Sequence, residues 1–239
     1  LYFNHKKSQK DELTEFFIEN VNKSSDIRHL RDEEAINTIR KDNVDIFIDL
    51  MGISSVSRLS LIKNRVAPNQ VSWCGYNNTT GVKEMDYILS DPNLIFESEK
   101  NMYEEKIIYL PKIWNCHAGF NLKRKFISPP LIKNNYITFG SFNNFSKIND
   151  NVVNVWSKIL SSVRNSKLIL KTSNVRASNL LISKFKNENV LDSVEFLSFE
   201  KDFKSHMNSY QKIDIALDTF PYTGVTTSFE AIWMGVPVL

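Results

Sequence analysis

Apolar residues in this chain recur in two alternating rhythms. In "RDEEAINTIRKD", Ala35, Ile36 and Ile39 fall on one face of a helix, with charges on the other. In "DELTEFFIENV", Leu13, Phe16, Phe17 and Val21 repeat with helical spacing. Between such stretches lie short apolar runs: "LYFN", "DIRHL", "VDIFIDLMG", "QVSWCGY", "MDYILSD" and "EKIIYLP". Each is too short for a helix and is bounded by turn residues, so each predicts a strand. "SRLSLIKNR" returns to helix. Strand and helix in alternation predict an α/β fold with parallel sheets.

The pattern lapses over "CHAGFNLKRKFISPPLIKNN", where polar residues and a proline pair interrupt it. It then restarts. "YITFGSF", "KLILK", "SVEFLSF" and "IDIALD" read as strands, and "ASNLLISKFKNE", "DFKSHMNSYQK" and "TSFEAIWMG" as helices. "NVVNVWSKILSSV" places Val152, Val155, Trp156, Ile159 and Val163 on one helical face. The expected organisation is a first lobe over residues 1–117, a linker over 118–134 and a second lobe over 135–239. "LYFN" and "VPVL" leave an apolar strand at each end, which leads us to expect that both lobes continue beyond the ends and that the second is unfinished. Ligands in such folds sit at the carboxyl ends of the strands.

Composition narrows the classes. Of 239 residues, 42% are hydrophobic, enough for a sizeable core. A net charge of +3, with acids interleaved among the lysines, gives no case for a nucleic-acid partner. The basic run Lys123–Lys125 reads as a solvated linker. Two cysteines, Cys74 and Cys116, form neither a disulfide framework nor a CxxC motif, so a reducing cytoplasm is expected. No apolar run is long enough to span a bilayer, and no membrane partner is expected.

Candidate chemistry concentrates in two loops. The turn "DTFPYTGVTTSFEAIW" follows the strand "IDIALD" and leads into a helix. Gly224 permits a tight turn, and Thr226 and Thr227 sit where the helix starts. Free N–H groups there, with the positive end of the helix dipole, would form an anion site. The same residues also read as a capping box, with Thr227 as cap and Glu230 reaching back to it. The second loop, "SFNNFSKIND", places Phe142, Asn143, Asn144 and Lys147 after the first strand of the second lobe. Lys147 could reach a phosphate, or could be a solvated turn lysine.

Three segments, "APNQVSWCGYNNTTGVKEMDYILSD", "FGSFNNFSKI" and "DIALDTFPYTGVTTSFEAIWMGVPVL", together resemble the glycosyltransferase family of O-GlcNAc transferase and SPINDLY. The resemblance implies a GT-B fold: two Rossmann-like lobes with a sugar nucleotide between them. It implies tetratricopeptide repeats upstream in the full-length chain and an acceptor hydroxyl of Ser or Thr on a protein. Lys147 matches the lysine that holds the donor's pyrophosphate. Thr226 and Thr227 match the phosphate-binding threonines, Glu230 the acid on the ribose hydroxyls, and His206 a histidine beside the base. Asn144 stands where the animal enzyme has a glutamine. Gly75, Tyr76, Asn78, Thr79, Thr80 and Gly81 match the first-lobe loop facing the transferred sugar. The chain departs from the pattern at Asn77, a proline in the family, and at Val225 and Phe203, a histidine and a lysine in the animal enzyme. The short linker also lacks that enzyme's large insertion.

The resemblance therefore implies UDP-GlcNAc as donor, with GDP-fucose or UDP-glucose as alternatives. A non-catalytic sugar-nucleotide binder is a separate alternative. No Asp-x-Asp motif occurs, so an inverting transfer without metal or other cofactor is expected, with Lys147 and the helix amides facing the leaving diphosphate. His5, His29, and His117 beside Cys116, have no metal-ligand spacing. Asp45, Asp49, Asp86 and Asp91 read as structural acids at strand ends, and Trp73, Trp156 and Trp233 as core.

Overall fold

The computed structural model describes residues 1–4, 11–54, 57–123, 127–172, 175–200 and 202–239, without the side chains of 175–177. His5, and Arg124 and Lys125 of the basic run, lie outside the described residues. The chain divides into two units, Leu1–His117 and Ala118–Leu239.

The first unit runs β1 (Tyr2–Phe3), α1 (Glu12–Glu19), β2 (Ser25–Asp26), α2 (Asp32–Lys41), β3 (Ile46–Asp49), α3 (Leu59–Lys63), β4 (Asn69–Ser72), β5 (Tyr87–Ser90) and β6 (Lys106–Tyr109). Strands β3-β4-β5-β6 form one parallel sheet in that order, and β1 pairs with β2 in a parallel ribbon. Helix α2 shows why the local sequence folds as it does. Asp32, Glu33 and Glu34 oppose the positive end of its dipole, and Arg40 and Lys41 the negative end. Its Ala35, Ile36 and Ile39 are buried with Ile27, Leu61 and Val66. Helix α1 has the same periodicity but buries none of its residues: Leu13 is 67% and Phe16 55% exposed.

Of the strand-end acids, Asp49, Asp86 and Asp91 hold structural hydrogen bonds, whereas Asp45 is exposed. Asp49 accepts from Met51 N and Gly52 N and so closes the turn after β3. Burial raises its pKa, against those two bonds. Asp86 takes a two-pronged bond from Arg65, and Asp91 accepts from Asn93, Leu94 and Trp114 N–H groups.

The second unit runs α4 (Pro130–Asn134), β7 (Thr138–Ser141), α5 (Asp150–Ser162), β8 (Lys167–Thr172), α6 (Val175–Asn187), β9 (Val194–Ser198), α7 (Phe203–Asn208), β10 (Ile215–Ala216) and α8 (Thr226–Trp233). Its parallel sheet has the order β10-β7-β8-β9, and Val238 bridges in parallel to Ala216 at the β10 edge. Alternate residues of β8 enter opposite cores: Leu168 and Leu170 join Phe139, Val152, Trp156 and Phe185, while Ile169 joins Met207, Tyr210, Ile213 and Ala231. A strand buried on both faces reads as a continuous apolar run, which is why "KLILK" shows no alternation.

Three expectations are corrected here. The buried face of α5 is Val152, Val153, Trp156, Ser157 and Leu160, while Val155 is 40% exposed. The stripe is rotated toward Val153 and Leu160 because α6 and β8 set its orientation. Within the stretch read as lacking periodicity, Pro130–Asn134 forms a helix, with proline at a first-turn position that needs no donor. Asp214 ties α4 to the sheet, accepting from Leu131 N and Thr138 N at 2.8 Å each. Phe120 and Leu122 pack on the Tyr210 core. Trp156 is core, whereas Trp73 and Trp233 are half-buried.

Candidate functional site

In the second unit the carboxyl ends of β7, β8 and β10 deliver residues that meet one another. The loop after β7 carries Asn143, Asn144 and Lys147, with a short 3-10 turn at Phe145–Lys147. The turn after β10, residues 218–225, leads into α8.

Asp218 organises that turn. Its Oδ1 accepts from Thr219 N at 2.8 Å, Gly224 N at 2.7 Å and Asn143 Nδ2 at 3.0 Å. Asn143, buried, then accepts from Thr227 Oγ1 at 2.9 Å, so the two loops are locked together. Gly224 has no room for a side chain: a Cβ there would lie 2.6 Å from Thr227 Oγ1 and 2.7 Å from Ser228 Oγ.

Lys147 reaches across to the same turn. Its Nζ donates to the Thr223 carbonyl at 2.8 Å and stands 4.3 Å from the centre of the Tyr222 ring. Burial lowers its pKa, and the Asp218 carboxylate opposes that shift. Asn144 is exposed and turned to its own loop, accepting from Ser146 N and Ser146 Oγ at 3.0 Å.

The capping-box reading of α8 fails. The helix starts at Thr226, and Val225 at its N-cap offers no side-chain acceptor. Glu230 turns inward instead of back to the helix start and is only 7% exposed. Its Oε2 accepts from Tyr210 OH at 2.8 Å and lies 3.0 Å from His206 Nε2. A buried carboxylate needs such partners, and Tyr210 and His206 supply them from a neighbouring helical segment. The N–H groups of Thr226 and Thr227 are therefore left uncapped at the positive end of the α8 dipole.

In the first unit, residues 75–81 follow β4. Gly75 packs against the turn after β3 so closely that a Cβ would lie 2.3 Å from the Leu50 carbonyl oxygen. Glu105, buried, holds the rest of the loop. It accepts from Thr79 Oγ1 and Thr80 N at 2.7 Å each, and from Thr80 Oγ1. Thr79 Oγ1 in turn accepts from Gly81 N at 3.1 Å, and Asn78 Oδ1 from Thr79 N at 2.8 Å. The two threonine hydroxyls are thus engaged by a carboxylate that sequence reasoning did not pick out.

The larger cavities of the second unit lie elsewhere. Volumes of about 320 and 740 Å³ open beside Pro129 and Pro130, at the amino ends of β7, β8 and β10. Neither is lined by Lys147, Asp218, Thr226, Thr227 or Glu230. Among the described residues, no three His, Cys, Asp or Glu side chains gather as a metal-binding group, and no helix is long and apolar enough to cross a membrane.

The family model described as Glycosyl transferase family 41 matches residues 7–127 and 123–239. The chain belongs to that family. Its relatives include two proteins named probable UDP-N-acetylglucosamine–peptide N-acetylglucosaminyltransferase SPINDLY. One, from Eustoma exaltatum subsp. russellianum, is 35% identical over 96% of this chain and 26% of its own length. The other, from Petunia hybrida, is 36% identical over 89% of this chain and 23% of its own. The chain thus spans about a quarter of the length of the curated relatives it matches. Among solved structures, a mutant O-GlcNAc transferase of Thermobaculum terrenum superposes with a TM-score of 0.88 at 31% identity, over 100% of this chain and 46% of that one. The fold of this family 41 chain is α/β of the GT-B class, with two Rossmann-like units.

The sequence reading passed over Lys171, Tyr210, Asp218 and Glu105. A weak signal existed for Lys171, a cation at the carboxyl end of the apolar strand "LILK". Glu105 gave none, because its neighbours Glu104 and Lys106 make it look like ordinary surface.

Proposed function

We propose that the full-length protein is a glycosyltransferase that moves a sugar from a nucleoside diphosphate to protein hydroxyls, with UDP-GlcNAc as donor. One observation carries this reading: Lys147, the Asp218-organised turn and the uncapped start of α8 converge, and Glu230 of α8 meets His206 of α7. The names of the SPINDLY relatives support the donor and the peptide acceptor.

In the proposed reaction a Ser or Thr oxygen bonds to the anomeric carbon as the bond from that carbon to the diphosphate breaks, with inversion. The hydroxyl proton is lost to a base, and the nucleoside diphosphate leaves with the bonding electrons. Negative charge grows on the diphosphate. The Lys147 ammonium and the N–H groups of Thr226 and Thr227 are the groups fit to offset it, with no metal required. Two of the three Lys147 donors remain for phosphate oxygens once Thr223 has taken one. Glu230 would accept from the ribose hydroxyls, and His206 would stand beside the base. In the first unit, Gly75, Tyr76 and residues 78–81 are the proposed sugar loop, with Thr79 and Thr80 held by Glu105.

The test is a thermal-shift series on the full-length protein with UDP, GDP, UDP-GlcNAc, UDP-glucose and GDP-fucose, followed by mass spectrometry of a Ser/Thr peptide. Stabilisation by UDP and UDP-GlcNAc, with a 203 Da gain on the peptide from UDP-GlcNAc alone (the mass of one N-acetylhexosamine residue, about 200 Da in round terms), is the expected result. Stabilisation by GDP and its fucose donor alone would replace the donor assignment. Nucleotide binding with no transfer from any donor would leave a binder rather than an enzyme.

A further inference from the structure

Lys171 stands at the carboxyl end of β8 and is only 8% exposed. Its Nζ lies 3.0 Å from His206 Nδ1 and donates to Ser209 Oγ at 3.1 Å, with the Phe142 ring centre 5.5 Å away. Ser209 spends its own proton on the Ser205 carbonyl at 3.2 Å, so it presents a lone pair to the lysine. We propose that Lys171 is a positioning residue for the nucleotide site: it dictates which nitrogen of His206 carries the proton, and so keeps one oxygen of Glu230 available to a vicinal diol. The diol is the ribose of the proposed donor, and to that extent the inference rests on the functional reading above.

Donors and lone pairs around the ring fix its tautomer. An ammonium has donors and no acceptor. At 3.0 Å from it, Nδ1 must supply the lone pair, so the ring proton sits on Nε2. From there it is donated to Glu230 Oε2, 3.0 Å away. Tyr210 OH donates to the same oxygen at 2.8 Å, and burial, then the nearby Glu230 charge, pushes that phenol far above its ordinary range, so it stays a donor. Both internal donors therefore fall on Oε2, and Oε1 is left for a ligand hydroxyl. The other tautomer would set an N–H against the ammonium and a lone pair against the carboxylate. Glu230 would then have to turn, and Oε1 would lose its direction. The His206 ring also joins Lys171 and Glu230, two buried groups of opposite charge that do not touch.

The experiment uses the full-length protein. Nitrogen-15 imidazole shifts of His206 report the tautomer, and calorimetry with UDP reports the site. Wild type should show the Nε2 proton. Lys171→Met should lose that preference and bind UDP at least about tenfold more weakly. Lys171→Arg, also a donor without a lone pair, should keep the tautomer and recover part of the affinity. A wild-type ring protonated on Nδ1 overturns the inference without any variant, which covers the case of a Lys171→Met protein that does not fold. Unchanged UDP affinity in a folded Lys171→Met protein overturns it too, whatever the tautomer. Wild type that binds no UDP overturns the functional reading and with it the diol half of this inference. That failure is told apart from a failure of Lys171 because His206 would still hold its proton on Nε2.

Discussion

Lys147 and Glu105 do opposite kinds of work at the residue scale. Lys147 keeps donors to spare on a half-buried ammonium, so its effect should appear in turnover. Lys147→Ala should lower kcat about 10²–10³-fold in the full-length protein while weakening UDP binding less, because charge on the leaving group grows as the bond breaks. Lys147→Arg should restore only part of the rate, since a planar fork replaces a compact charge. Steady-state kinetics with UDP-GlcNAc beside UDP calorimetry would measure both, and wild-type turnover in Lys147→Ala would reduce the residue to a turn lysine. Glu105 has its partners already, in Thr79 and Thr80. Glu105→Ala strands a buried N–H and two hydroxyls, and should cost about 3 kcal/mol in urea unfolding. Exchange of the Thr80 amide with solvent should speed up well beyond that of the β4 amides.

At the scale of elements, the join between β4 and β5 carries a measurable pH signature. Asp86, in the loop before β5, is held below the ordinary carboxylate range chiefly by the Arg65 side chain, with burial opposing and Gln70 N helping. A carboxylate with a depressed pKa stabilises the fold above its unfolded value of about 3.9, and that stability is lost as pH falls through the lower folded value. Arg65 is 39% exposed, so screening limits the pair to about 1 kcal/mol. Asp86→Asn should therefore be less stable than wild type at pH 7, and the two unfolding curves should draw together below about pH 4. A gap that persists at pH 2 would assign the loss to packing instead. Element scale is also where the α8 expectation failed. "TTSFE" satisfies the spacing of a capping box, but that motif asks only what is near in sequence. Tyr210 and His206 compete for Glu230 from a segment 20 and 24 residues away and win it.

For the whole molecule, the proposed compensation of leaving-group charge by Lys147 and α8 predicts insensitivity to chelation. Turnover by the full-length protein should survive EDTA, and a loss restored by Mg²⁺ or Mn²⁺ would replace the metal-free mechanism. The same site should stabilise the protein by mass action. Free UDP at 100 times its Kd should add about 2.7 kcal/mol to unfolding, read as a rise in Tm, and Lys171→Met should reduce that gain at equal UDP concentration.

Alternating short apolar runs and amphipathic helices were enough to place every strand of both four-stranded sheets, because a short apolar run bounded by turn residues is a local signature that needs no neighbour. The two loops that carry Lys147, Thr226 and Thr227 were legible too, since strand end, glycine and helix start follow one another along the chain. Tertiary structure alone decided the rest. The side of α5 that faces the core depends on where α6 and β8 lie, so Val155 looked buried and is not. Glu230 could serve its own helix or a distant histidine, and only the packing of residues 203–212 against α8 made it the second. Lys171, Glu105 and Asp218 are polar residues whose roles come from partners 25 to 75 residues away, and no local pattern records a partner at that separation.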